Sequence, residues 1–273
     1  MSLSRRRLMT AAFDPLVMGA VAATASGFVQ SAAAQTPLPA AAGLIEDLVT
    51  ANHILYDQGV VDGFGHVSVR HDKDANRFLL ARSMAPGLVT AGDIMEFDLE
   101  GNAIDQHGRA VYLERFIHSE IYKTRPEVKA VVHSHSPSVI PFGVTGVPLQ
   151  PIYHMSAFLG SGVPVFEIRD ASPVPTDMLV RNRELGAALA KTLGNASVAL
   201  MRGHGDVVVG ETIPQVVFRA IYTETNARLE AQALALGKVN FLNREEAAKA
   251  SETNSALVGR AWDLWKQHAS GNH

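Results

Sequence analysis

Leu113–Val139 reads LERFIHSEIYKTRPEVKAVVHSHSPSV. Its first half spaces apolar residues as a helix does, and that helix, beginning upstream near Gly108, is expected to stop near Arg125 because Pro126 cannot continue it. The second half is an apolar run with strand character that ends on His133, Ser134 and His135. Residues i and i+2 of a strand point to one side, so the two imidazoles project together, about 6–7 Å apart at their Cα atoms, while Ser134 points away. Such a pair either grips one cation or forms two satisfied structural histidines.

Working outward, residues 40–60 carry helical spacing and end on Gly59. GFGHVSVRHD, RFLLAR and DIMEFDLEGNAI are three short segments of β character bounded by Gly, Asp and Asn. NRELGAALAKTLG predicts a helix closed by Gly194, and SVALMRGHGDVVVGE predicts two short strands joined at Gly203–Gly205. Thr212 and Gln215 have the spacing of a capping box for a long helix running to about Gly237. The sum is a central, largely antiparallel sheet with helices on its faces. Trp262 and Trp265, at i, i+3 spacing, are expected to pack on one face of a C-terminal helix.

The turn between the two late strands supplies a third candidate ligand, His204, flanked by glycines that permit close backbone approach. Three histidines leave a coordination position open, as a catalytic zinc site does. Glu114 lies four residues before His118 and is expected on the same helix face, where a carboxylate beside a metal-bound substrate can act as general base; the plain alternative is a surface Glu paired with a neighbouring Arg.

Composition limits the function. The 273 residues are 47% hydrophobic and 19% charged, which suits one globular domain, and 24 basic against 27 acidic residues leave no basic block for nucleic acid. There is no cysteine, so a metal must be held by His, Asp or Glu. Residues 1–34, with Arg5, Arg6 and Arg7 before an Ala/Val/Gly-rich stretch and small residues at Ala32–Ala34, have the outline of a twin-arginine export signal. They predict a periplasmic mature domain over 35–273, with no membrane span after cleavage.

Taken together, Glu114, the His133/His135 pair nineteen residues further on, and the later Arg202-Gly203-His204-Gly205 resemble the class II aldolase/adducin family, over roughly residues 40–240. The resemblance implies a three-layer αβα sandwich, a homotetramer with active sites at subunit boundaries, and a Zn2+ (alternatively Fe2+, Mn2+ or Co2+) held by His133, His135 and His204. It implies Glu114 as acid/base in a carbon–carbon lyase reaction of the aldol-cleavage type.

Where sugar-phosphate members bind phosphate, this chain departs from the pattern. His66 replaces an Asn in GHVS, and the pair before Glu114 is Tyr112-Leu113, in which Leu donates no hydrogen bond. An unphosphorylated small-molecule substrate is therefore expected, with Arg82 and Ser83 as carboxylate holders and Tyr112, Tyr153, His154 and His66 as further substrate contacts. Arg82 reads equally as an ordinary surface cation, and His154 as a core histidine. RSMAPGLVTAGDIMEFD and HSPSVIPFGVTGVPLQPIYHM resemble a non-sugar branch that includes decarboxylases of dihydroxylated aromatic acids such as 3,4-dihydroxyphthalate. The rival readings are a non-catalytic adducin-like interaction module, a pentulose-phosphate epimerase and a mononuclear iron oxygenase.

Overall fold

Alternation along each strand assigns its side chains to two layers, and the layers explain the architecture. The computed structural model describes residues 36–172 and 174–271, so the expected export signal over 1–34 lies outside the described residues. The strands are β1 (His66–Arg70), β2 (Arg77–Ala81), β3 (Ile94–Asp98), β4 (Ala130–Ser134), β5 (Val165–Phe166), β6 (Val198–Met201) and β7 (Gly205–Gly210). They form one seven-stranded sheet in the order β3-β2-β1-β4-β7-β6-β5. Every neighbouring pair is antiparallel except β5–β6.

One face receives Val67, Val69, Leu79, Ala130, Val132 and Val208, which pack with residues of α1 (Ala42–Asp57), α6 (Ile213–Leu236) and α8 (Val258–Gly271). The opposite face receives Phe78, Leu80, Val131, Val207 and Val209, which pack with α2 (Arg115–Thr124) and α5 (Arg183–Leu193). Short helices α3 (Ile140–Val144) and α4 (Ile168–Ala171), and α7 (Arg244–Ser255), complete the chain. The sandwich expected from the resemblance is thus present, with helices on both faces of the sheet. Among the described residues no helix is long and apolar enough to cross a membrane.

Sequence and structure agree at most element ends. α1 gives way to Gly59 at φ 68°, and α5 to Gly194 at φ 50°, a conformation that favours glycine. Trp262 and Trp265 are buried in the α1/α6/α8 layer, with Trp265 beside Tyr222. Two expectations change. The helix expected from near Gly108 begins only at Arg115, with Glu114 as its N-cap residue at φ −92°, ψ 17°. Residues 109–113 instead run beside the loop after β2, where Ser83 N donates to the Ala110 carbonyl at 2.8 Å and the Tyr112 hydroxyl donates to the Met84 carbonyl at 2.5 Å. These long-range bonds override the local helical pattern. At α6 the Thr212 hydroxyl accepts from Gln215 N, but the Gln215 side chain accepts from Glu211 N and not from the N-cap backbone, so the box is shifted by one residue.

β1 carries the most consequential pattern. Val67 and Val69 face one layer while His66, Ser68 and Arg70 face α2, and all five residues are buried. Arg70 turns this burial into a fastening: its guanidinium donates to the carbonyls of Tyr122, Arg125 and Val128, satisfying acceptors at the C-terminal end of α2.

Candidate metal centre

β4 is the middle strand of the sheet; it carries His133 and ends at Ser134, with His135 immediately after it. Its register places His133 between His66 of β1 and Val207 of β7. The β6–β7 turn folds back over this end, with Gly203 at φ 63°. Gly205 sits so close to β4 that an added Cβ would lie 1.9 Å from the Ser134 carbonyl oxygen, which is why the turn brings His204 against the pair. The N-cap position delivers Glu114 to the same place. Donor atoms of Glu114, His133, His135 and His204 all lie within 4.8 Å of one another.

The hydrogen bonds around this group orient lone pairs inward. His133 Nδ1 is 2.9 Å from the Asp206 carbonyl oxygen, and His204 Nδ1 is 2.9 Å from that of Met178. A carbonyl only accepts, so both Nδ1 atoms carry a proton, and in the neutral rings that a cation binds both Nε2 atoms present a lone pair. Those Nε2 atoms each lie 3.5 Å from Glu114 Oε2, and His135 Nε2 is 3.0 Å from His204 Nε2. His133 Nε2 is buried without a hydrogen-bond partner among the described residues. A buried orphan acceptor, two tautomers fixed by backbone carbonyls and a carboxylate aimed at them are the donor chemistry a divalent cation requires, so the residues fit the implied metal.

Without a cation, the protonated form of the rings takes its place: burial alone would raise the Glu114 carboxyl, but the positive charge of protonated His133 and His204 outweighs it and holds the group well below the usual carboxylate range. Glu114 Oε1 accepts from Val180 N at 2.9 Å, which fixes the side chain. Burial also lowers His135, to about 4, with the neighbouring His133 and His204 adding to the effect.

Asp206 completes the surroundings: buried at 1% exposure, it accepts the Ser134 hydroxyl at 2.6 Å. Burial pushes its carboxyl up to about 7, from an ordinary 3.8. The folded form therefore keeps a proton that the unfolded chain sheds above pH 3.8, and stability is lost as pH rises through that window. In metal-stripped protein, Asp206→Asn is expected to melt roughly a few degrees higher than the parent at pH 8, with the gain shrinking toward pH 4. A difference in melting temperature that stays constant across that range would refute the assignment.

Beside the ligand group opens a cavity of about 410 Å3 lined by Phe64, His66, Ser83, Met84, Tyr112, Leu113, Glu114, His135 and Leu179, among others. The residues lining it include no Lys or Arg. Of the expected substrate contacts, His66, Ser83 and Tyr112 thus meet at one cavity with Glu114. Arg82 is not in its lining; its Nε donates to Asp93 at 2.6 Å, a surface ion pair. Tyr153 and His154 are also outside the lining, packed ring against ring at 6.1 Å. A larger depression of about 600 Å3, lined by Asp47, Asp72, Lys73 and Glu211 among others, contains none of the four clustered residues.

Residue reasoning missed several participants. Phe64 stands 69% exposed at the cavity with its ring 6.2 Å from that of His135. His118, Ser68 and Tyr122 form a buried chain behind His66: His118 Nε2 is 2.6 Å from His66 Nδ1, His118 Nδ1 is 2.6 Å from Ser68 Oγ, and Ser68 Oγ is 2.8 Å from the Tyr122 hydroxyl. The only available signal was the i, i+4 spacing of His118 and Tyr122 on α2. Glu114 and His118, expected on one helix face, have separate partners.

A mixed sheet sandwiched by helices, with a three-histidine and glutamate cluster at the end of its middle strand, defines a class II aldolase type of protein. The structure superposes on L-fuculose 1-phosphate aldolase from Glaciozyma antarctica with a TM-score of 0.70 at 25% identity, over 87% of this chain and 96% of that one. Residues 46–231 match the Class II Aldolase and Adducin N-terminal domain, and the chain belongs to that family. Within it, the chain is 38% identical to the decarboxylase tropJ of Talaromyces stipitatus over 81% of this chain and 92% of the relative. It is 32% identical to 3,4-dihydroxyphthalate decarboxylase of Arthrobacter keyseri over 72% of this chain and 81% of the relative. The expected resemblance to the decarboxylase branch therefore holds.

Proposed function

We propose that the protein is a metal-dependent decarboxylase of a dihydroxylated aromatic carboxylic acid. The observation that carries this reading is the cavity at Glu114 and His135: its walls are Phe64, Met84, Tyr112, Leu113 and Leu179, suited to a flat ring, with no cation to bind a phosphate. The decarboxylase relatives support it over aldol cleavage of a hydroxy-carbonyl compound, the reading that the residues alone put first.

His133, His135 and His204 would hold the cation, which when bound supplies Lewis-acid stabilisation of negative charge. Glu114 Oε1 is fixed by Val180 N, which leaves Oε2, 3.5 Å from His133 and His204 Nε2, to take the proton of a ring hydroxyl. The bond between ring carbon and carboxylate then breaks, CO2 departs, and the electron pair stays with the ring. Glu114 returns its proton to that carbon, and solvent reprotonates the oxygen. The apolar walls exclude water while the pair is exposed.

Zinc-loaded protein given 3,4-dihydroxyphthalate is expected to release CO2 and the corresponding dihydroxybenzoate, and to leave L-fuculose 1-phosphate intact. Turnover of the sugar phosphate alone would overturn the reading and restore aldol cleavage; zinc-loaded protein inert toward both, while binding its metal, would also count against it.

A further inference from the structure

The buried chain behind His66 has a direction, and the direction sets what His66 offers to a ligand. Tyr122, Ser68, His118 and His66 are each 4% exposed or less. The Tyr122 hydroxyl has one hydrogen-bond partner among the described residues, Ser68 Oγ. Were His66 Nδ1 to donate to His118, then His118 Nδ1 would donate to Ser68, Ser68 to the Tyr122 oxygen, and the Tyr122 hydrogen would be left buried without an acceptor. In the opposite sense every group is satisfied. The Tyr122 hydroxyl donates to Ser68, Ser68 to His118 Nδ1, and His118 Nε2–H to His66 Nδ1. A neutral His66 then carries its proton on Nε2, which has no partner among the described residues, while the residue lines the cavity beside Glu114 and lies against Tyr112 with the tilted rings 4.6 Å apart.

We propose that His66 is a fixed hydrogen-bond donor, through Nε2–H, to an anionic oxygen of the substrate, and that His118 is a positioning residue which sets the His66 tautomer. The donor replaces the cation that the cavity lining lacks: a neutral imidazole N–H recognises a carboxylate or phenolate oxygen without the full desolvation cost of a buried charge. The identity of that oxygen rests on the decarboxylase reading; the tautomer does not.

The tautomer is read directly from two-bond 1H–15N spectra of 15N-histidine-labelled, zinc-loaded protein, with the two residues assigned by loss of their signals in His66→Gln and His118→Gln. Both His66 and His118 are expected to be protonated at Nε2 and bare at Nδ1. A His66 protonated at Nδ1 would overturn the proposal, because its Nε2 would then offer a lone pair suited to a cation and not to an anion. Adding phthalate, which has the two carboxylates and no hydroxyl, is expected to shift the His66 Nε2–H proton; no shift at saturating phthalate would remove the anion-binding role.

Kinetics separate positioning from mere packing. His118→Gln retains an N–H donor toward His66 and is expected to stay within about twofold of the parent, whereas His118→Phe should raise KM about tenfold with zinc content unchanged. Equal KM values for the two variants would overturn the positioning role. Should His118→Phe fail to fold, the wild-type tautomer still decides the first half of the proposal, and a protein that decarboxylates nothing would still show it.

Discussion

His133→Ala should yield a folded protein with less than about a tenth of a divalent cation per chain and an activity lower by at least about 10^3-fold, the scale of removing a principal charge-stabilising element from a transition state. Of the three histidines proposed to hold the cation, His133 has the least freedom to be replaced. It is completely buried, its ring is fixed by the Asp206 carbonyl, and its Nε2 has no hydrogen-bond partner among the described residues. The substitution also removes the imidazole that does most to offset the burial of Glu114, so that carboxyl should move back up toward the usual carboxylate range. Elemental analysis of protein purified with stoichiometric zinc measures the first effect, and circular dichroism shows that the fold survives. Normal metal content in a folded His133→Ala protein would mean that the cation is not held here.

Glu114→Gln should give the opposite split: about one cation per chain retained, with kcat down by about 10^2- to 10^4-fold, the usual worth of a general acid–base. Gln keeps the shape and an oxygen that can still accept from Val180 N, so the cavity wall is preserved. What disappears is the charge 3.5 Å from both His133 and His204. The experiment distinguishes two roles compatible with the geometry, since Glu114 belongs to the same tight group of donor atoms as the histidines. Loss of the metal together with activity would make Glu114 a ligand and leave the proton transfer to another group. Retention of metal with near-normal kcat would remove it from the chemistry altogether.

Much of this site is legible in the residues because its signals are local. His-x-His on an apolar strand and a Gly-flanked histidine at a two-strand turn need only periodicity and turn chemistry to be read. The nineteen-residue spacing from Glu114 to His133 is compatible with one helix and one return, and the structure supplies both. The start of α2 was not legible, because residues 109–113 follow the helical pattern and are pulled from it by bonds to Ser83 and Met84, about thirty positions away. Arg82 illustrates the same limit: its partner, Asp93, lies across a loop, and nothing near Arg82 in the chain announces the pairing. The His66–His118–Ser68–Tyr122 chain was hidden for a different reason. Alternation in GHVSVR looks like a strand with one wet face, whereas α2 covers that face and buries the polar row.

The sheet order has a further consequence for how such a protein can change over generations. The three histidines proposed to hold a cation come from the middle of the sheet, at the end of β4 and on the β6–β7 turn, where neighbouring strands are fastened on both sides. The cavity walls come from elsewhere: Phe64 before β1, Ser83 and Met84 after β2, and Tyr112 and Leu113 ahead of α2. Drift in those segments can redraw which molecules enter without loosening a single histidine. The scaffold thus separates a fixed reactive centre from an editable entrance, and lineages that share the first need share little of the second.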